Sequence, residues 1–325
     1  MKLAIYGYGN IGKGVEKVVS QNPDMELTGI YTRRDPSTII SLCDTPVYSA
    51  ADIEAHAADI DVLIICAGSA TDLPGMTPML AEKFNVVDSF DNHAHIPEHY
   101  ARVDEAALKG NHTALISGGW DPGMFSIARL YSMSVLPEGK NYTFWGRGVS
   151  QGHSDAIRRI PGVADARQYT VPIESALEAV RSGSNPELTT REKHLRECYV
   201  VAEEGADKEW IAEQIKTMPN YFADYDTTVE FITAEEMKAN HSNMPHGGFV
   251  ITSGKTGLSG EHTQTIEYKL TLDSNPEFTA CALVALARAV DRHYKKGDYG
   301  CKTIFDMAPA DLSMLSREEM LAHML

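Results

Sequence analysis

Gly7-Tyr8-Gly9-Asn10-Ile11-Gly12 places three glycines in a G-x-G-x-x-G run directly after a short apolar stretch, residues 2–6. Gly7 permits a tight turn, Gly9 lets a pyrophosphate approach the backbone, and Gly12 allows close packing of helix on strand. The N–H groups and dipole of the helix that follows then favour the phosphates. Alone the pattern is weak, but a strand before it and a helix after it supply the context of a dinucleotide site. About 20 residues on, an NAD site calls for an acidic side chain; this chain reads Tyr31-Thr32-Arg33-Arg34 instead. Two guanidiniums and a hydroxyl suit a 2′-phosphate, so the expected cofactor is NADP. Asp35 lies beyond the expected strand end.

Other chemistry-bearing groups follow later apolar runs. Ser69 and Thr71 sit in Cys66-Ala67-Gly68-Ser69-Ala70-Thr71-Asp72, where they either touch the cofactor or, with Asp72, cap a helix. Asp91-Asn92-His93-Ala94-His95 offers a carboxylate at a sheet mouth, fit to face a substrate amine. His93, His95 and His99 invite a metal reading, but H-x-H metal hydrolases need a closed barrel, which the glycine run contradicts; no metal is expected. Gly118-Gly119-Trp120-Asp121-Pro122-Gly123-Met124 joins a rigid wall and an anion to turn-forming residues, and turn chemistry alone also yields Asp-Pro-Gly. Ser150-Gln151-Gly152-His153-Ser154-Asp155 and Met244-Pro245-His246-Gly247-Gly248 are further ligand-loop candidates, although a lone histidine such as His246 can simply bond a nearby carbonyl.

The elements that must position these groups change character near residue 120. Residues 2–6, 27–31, 61–66, 85–89 and 113–117 read as continuous apolar strands. Helical stretches at 12–20, 51–58, 78–84 and 97–110 lie between them. This predicts a doubly wound parallel sheet of Rossmann type. Residues 141–145, 198–203, 227–232, 248–253 and 265–272 are richer in Tyr, Thr and Phe and partly alternate, which predicts an antiparallel or mixed sheet in a second α+β domain. Polar loops are expected at 182–190 and 253–262, and a helical return at 278–294. The expected division is 1–120 with a C-terminal return over 277–325, and 121–276.

The composition fits this reading. The chain has 325 residues, 43% of them hydrophobic, and a formal charge of −16. The acidic balance argues against nonspecific nucleic-acid binding and against a basic membrane-surface patch. Five scattered cysteines with no C-x-x-C support neither a disulfide framework nor a zinc knuckle. The opening MKLAIYGYGNIGKG is no secretory h-region, and no apolar run approaches a membrane span. The expected location is the cytoplasm.

With the motifs GYGNIG, TRRD, GSATD, DNH, GGWDPGMFS, FWGRGVSQGHSDAIRRIPG, MPHGG and DSNPEFT in place, the sequence resembles the meso-diaminopimelate dehydrogenases over nearly its whole length. The resemblance implies NADP-dependent, reversible oxidative deamination at the D-centre of meso-2,6-diaminopimelate, with ammonia released. It also implies a homodimer. It places the D-amino end near Asp91, Trp120, Asp121, Gln151, Gly152 and Asp155, with Asp91 or Asp121 as the catalytic carboxylate. The distal end falls near Thr170, Arg196, His246 and Asn275, with Trp145 as a wall. Gly7, Gly9, Asn10, Ile11, Gly12, Thr32, Arg33, Arg34, Ser69, Thr71, Asp91, Asn92, His93, Asp121, Pro122, Gly123 and Met124 are the expected cofactor contacts. The departures from the family pattern fall in two loops, 35–44 and 258–264. Two other readings use the same basic pair: an NADP oxidoreductase acting on another amino or oxo acid, and a non-catalytic NADP sensor.

Overall fold

β1 (Lys2–Tyr6) is buried on both faces, which is why its sequence is an unbroken apolar run rather than an alternation. In the computed structural model, which describes residues 1–136 and 138–325, it joins a seven-stranded sheet. Its partners are β2 (Glu26–Thr32), β3 (Val47–Ser49), β4 (Val62–Ile65), β5 (Val86–Asp88), β6 (Thr113–Leu115) and the strand Gly300–Lys302. The spatial order is Gly300–Lys302, β6, β5, β4, β1, β2, β3, and every pairing is parallel. The chain winds outward in opposite directions from β1 and β4, so a ligand crevice opens beyond their C-terminal ends.

Alternate residues of the same strands feed two cores. Leu3, Ile5 and Ile64 pack with α1 (Asn10–Val19) and the long helix Asn275–Lys295. Ala4, Tyr6, Leu63 and Ile65 pack with α2 (Leu73–Ala81) and α3 (Ile96–Gly110). Leu283, Val284, Leu286 and Val290 of the long helix are essentially inaccessible, and burying side chains of this kind contributes about 1.5–3 kcal/mol each. Arg288 on that helix is buried and reaches Asp24 through Nε and Nη2 at 2.7 and 3.0 Å, fastening the chain's last segment to the turn before β2.

The chain divides into two units, Met1–Ile127 with Pro276–Leu325, and Ala128–Asn275. The second unit holds two sheets rather than one. β7 (Lys140–Trp145), β8 (Gly148–Val149), β9 (Val163–Pro172), β10 (His194–Ala202), β11 (Asp226–Phe231), β12 (His246–Thr256) and β13 (His262–Leu272) form the orders β11-β10-β9-β8 and β13-β12-β7. All pairs are antiparallel except β10 with β11. Helix α4 (Met124–Val135) leads into this unit, and α5 (Gln151–Arg158) follows β8.

Several expectations need correction. The expected loop 253–262 is narrower than read: residues 257–261 form the turn, while Ser253–Thr256 continue β12 and pair with β13 from Ser253↔Thr265 to Thr256↔His262. The C-terminal return contributes the edge strand Gly300–Lys302 as well as helices. The stretch 78–84 lies late in α2, which starts at Leu73 and carries Pro78 inside it. The stretch 51–58 is a 3₁₀ helix, Ala50–Asp59. Among the described residues no helix is long and apolar enough to cross a membrane.

Candidate active site

At the β1–α1 turn, Gly7 has φ +96°, and a Cβ there would stand 2.5 Å from the Cys66 carbonyl oxygen. A Cβ on Gly12 would stand 2.4 Å from the Gly7 oxygen. Both positions therefore require glycine for close approach. A Cβ on Gly9 would meet nothing within 4 Å, because that side faces open space. The space is a pocket of about 290 Å³ lined by Gly7, Tyr8, Gly9, Thr32, Arg33, Arg34, Cys66, Ala67, Gly68 and Asp72, with Tyr6 and Met76. Arg34 Nη2 donates to the Tyr8 carbonyl at 2.7 Å, and Arg34 N to Thr32 Oγ1 at 3.1 Å. Among the described residues Arg34 pairs with no carboxylate. Arg33 Nη2 lies 2.9 Å from Asp72 Oδ1. Open backbone at Gly9 and two guanidiniums on one pocket fit a dinucleotide bearing a 2′-phosphate.

Asp72 occupies the position before α2 without capping it. Its other oxygen accepts Gly68 N at 3.1 Å, so it braces the turn after β4. Ser69 Oγ donates to Asp91 and accepts Asp91 N at 2.9 Å, joining the turns after β4 and β5. Thr71, Asn92 and His93 are exposed, and Asn10 and Ile11 open α1 outside the pocket lining. Trp120 is buried edge-on against Phe125, Asp121–Pro122 is a cis peptide, Gly123 is buried and Met124 exposed.

Asp88, at the end of β5, was not among the expected site residues, yet it organises this rim. Fully buried, it accepts Thr77 Oγ1 at 2.8 Å, Phe90 N at 3.0 Å and Ser117 N at 2.9 Å, and lies 2.8 Å from His99 Nε2. Its carbonyl accepts Gly118 N at 2.8 Å. One carboxylate thus fixes the loops that carry Asp91 and Asp121. His99 is spoken for by Asp88, and among the described residues no group of three or more His, Cys, Asp or Glu is arranged to hold a metal ion.

In the second unit, register sets a row across the sheet. Gly148 faces Thr170, Thr170 faces Arg196, and Arg196 faces Thr227. The His246 ring lies where a Cβ on Gly148 would be, only 2.6 Å from that position. His246 Nδ1 lies 2.8 Å from Gly247 N and 3.2 Å from the Gly247 carbonyl oxygen. Arg196 is 6% exposed, donates through Nη1 to Thr170 Oγ1, and stacks on Tyr225 with its guanidinium carbon 3.8 Å from the ring centre. Its Nε is buried without a partner, and among the described residues no carboxylate pairs with it. Burial pulls its pKa down. A buried cation with no carboxylate beside it is costly unless an anion meets it, and its chemistry suits a carboxylate ligand.

Thr170 Oγ1 also receives Gln168 Nε2 at 3.4 Å, which frees its own hydrogen to donate. His194 accepts Trp145 N at 2.9 Å; burial, then Arg196 and Lys193, push its pKa down to about 3. His153 meets Ser150 Oγ at 2.7 Å and is pushed down to about 4 by burial, then by Arg196. Gln151 donates to Met244 Sδ at 3.1 Å, and Met244 O accepts Asn275 N at 3.0 Å, linking two expected substrate contacts. Asp155 is exposed and paired with Arg158. Gln168, Tyr225 and His194 were not expected at the site, while His153 lay within an expected ligand loop; Gln168 at least had a signal, two residues before Thr170 on one strand face.

Residues 119–274 match a family model described as the diaminopimelic acid dehydrogenase C-terminal domain. The meso-diaminopimelate D-dehydrogenase of Acetivibrio thermocellus is 58% identical over 321 residues, covering 98% of this chain and 96% of that one. The chain belongs to the meso-diaminopimelate D-dehydrogenase family. A crystal structure of a six-substitution mutant of the family's Clostridium tetani enzyme with DAP is similar at TM-score 0.94 and 51% identity, covering 100% of this chain and 99% of that one. An engineered D-amino acid dehydrogenase bound to NADP+ is similar at TM-score 0.88 and 46% identity, with the same coverage.

Proposed function

We propose that this chain is an NADP-dependent meso-diaminopimelate D-dehydrogenase. It reversibly converts meso-2,6-diaminopimelate, water and NADP+ to L-2-amino-6-oxopimelate, ammonia, NADPH and a proton. The observation that carries this reading is membership of the family across essentially the whole chain. The Arg33–Arg34 pocket supports NADP, and the unmatched Arg196 supports a substrate with a second carboxylate.

NADP, when bound, supplies the hydride acceptor. Gly7, Gly9 and Gly12 would seat its pyrophosphate, and Arg33, Arg34 and Thr32 its 2′-phosphate. The expected contacts Asn10, Ile11, Ser69, Thr71, Asn92, His93, Pro122, Gly123 and Met124 would complete its surroundings. Loss of hydride from the D α-carbon leaves a substrate iminium, to which water adds before ammonia departs. The substrate ammonium and the attacking water must each give up a proton, which calls for a carboxylate; Asp91, held by Ser69, and Asp121 fill that role. The family resemblance assigns Trp120, Gln151, Gly152 and Asp155 to the D-amino end. Arg196, Thr170, His246 and Asn275 hold the distal amino-acid end, with Trp145 as a wall.

The first unit is thus the cofactor domain, and the second serves substrate binding and dimerisation. Exposed Leu130, Tyr131, Met133 and Val135 on α4 support a homodimer. The unpaired cysteines agree with a cytoplasmic location. Following NADPH formation with meso-, L,L- and D,D-diaminopimelate tests the reading. Turnover of the meso isomer and none of the L,L isomer is expected; equal rates on both, or preference for NAD, would overturn it.

A further inference from the structure

Glu16 lies on α1, and its side chain is 1% exposed where an apolar contact would ordinarily sit. Its carboxylate accepts Leu42 N at 2.9 Å, Cys43 N at 3.1 Å, Thr45 Oγ1 at 2.7 Å and the Tyr8 hydroxyl. Burial raises the pKa of this carboxyl, but the bonds from Tyr8, Leu42, Thr45 and Cys43 outweigh it and hold the group below its ordinary value. The anion thereby ties two segments to the first helix.

One is the glycine-rich turn, through Tyr8. The Tyr8 hydroxyl also accepts Leu42 N at 3.1 Å, while its carbonyl receives Arg34 Nη2 at 2.7 Å. The other is the segment 35–45, which starts directly after Arg34. It ends beside Pro46, whose carbonyl accepts Ile30 N at 2.9 Å as β3 begins. Arg34 is therefore held between two tethers that end on a single carboxylate. Apolar anchoring of that segment is thin: Ile39 packs against the core, but Ile40 is 86% and Leu42 51% exposed.

We propose that Glu16 is a positioning residue for the 2′-phosphate of NADP. By pinning segment 35–45 and Tyr8 to α1, it keeps Arg33 and Arg34 on the cofactor pocket. This rests on the NADP reading above. NAD has a plain hydroxyl at that position and gains little from two aligned guanidiniums, so loss of the clamp weakens NADP selectively.

The test is Glu16→Gln in the full chain. Calorimetric binding of NADP and of NAD is measured without substrate, alongside peptide-resolved alkylation of Cys43, with exposed Cys281 as an internal control. NADP affinity should fall roughly tenfold and NAD affinity less than about threefold. Cys43 should alkylate faster while Cys281 does not change. Equal weakening of both cofactors, or an unchanged NADP affinity, overturns the proposal. If Glu16→Gln does not fold, Tyr8→Phe removes the hydroxyl tether alone and should shift binding in the same direction by less. A wild-type protein that binds NAD and NADP equally defeats the cofactor reading and this inference together. A wild type that prefers NADP, with variants that keep the full preference, defeats this inference alone.

Discussion

Arg196 is the proposed site's costliest side chain and the one to which its specificity is assigned. Its guanidinium is desolvated, stacked on Tyr225 and unmatched by any described carboxylate, so the folded protein carries a penalty that, on the proposed reading, a dicarboxylate substrate relieves. Arg196→Met keeps apolar bulk and removes that cation. It should lower kcat/KM for meso-diaminopimelate by about tenfold or more, shift relative activity toward D-norleucine, and leave Tm unchanged or higher. Steady-state kinetics on both substrates with a melting curve checks this; a fixed ratio would place Arg196 away from the distal end. His153 makes a separate prediction. The folded chain keeps it neutral down to about pH 4, whereas the unfolded chain protonates it near 6.5. The unfolded state therefore takes up more protons as pH falls through that window, and stability falls with it. His153→Gln, read by Tm from pH 7 to 4.5, should show a shallower acid decline than the wild type. The glycine run and the Arg pair were legible in the sequence because spacing alone defines them. Tyr225 was not, because only a loop return brings it to Arg196; Gln168 could have been found from its spacing to Thr170 once β9 was recognised as a strand.

At the scale of elements, apolar runs located five of the seven strands of the first sheet, since strands buried on both faces announce themselves by composition. β3 and Gly300–Lys302 escaped. Each is three residues long at a sheet edge, too short to show a period, and the second sits among residues that favour turns. β9 escaped for a different reason. Gln168 and Thr170 are buried polar residues, and Asp165 and Arg167 interrupt its apolar alternation. The strand that faces Arg196 was thus the hardest to read, since buried polar groups stand where apolar ones would mark a core strand. β8, two residues long, was lost with it. Both strands of the β12–β13 hairpin were read, but their polar ends beside the turn, 254–256 and 262–264, were not.

For the whole molecule, the first unit is assembled from the two ends of the chain: the core around β1 includes Ala280, Leu283, Leu286 and Val290, and its sheet ends at Gly300–Lys302. Synthesis runs the other way. Residues 1–127 leave the ribosome first, yet the helix that covers one face of their sheet arrives only after the 148 residues of the intervening unit, from Ala128 to Asn275. That intervening unit contains both of its own sheets and cores and can close as soon as it emerges. The order of folding should therefore invert the order of translation, with the amino-terminal strands waiting, apolar and uncovered, on a finished neighbour. Pulse proteolysis of nascent chains stalled with residue 275 just exposed should find 128–275 protected and 1–127 cut, and releasing the last fifty residues should protect both. Such a waiting sheet is also where a chaperone would be expected to bind, and where a premature stop near the carboxyl end would do its damage at the other terminus.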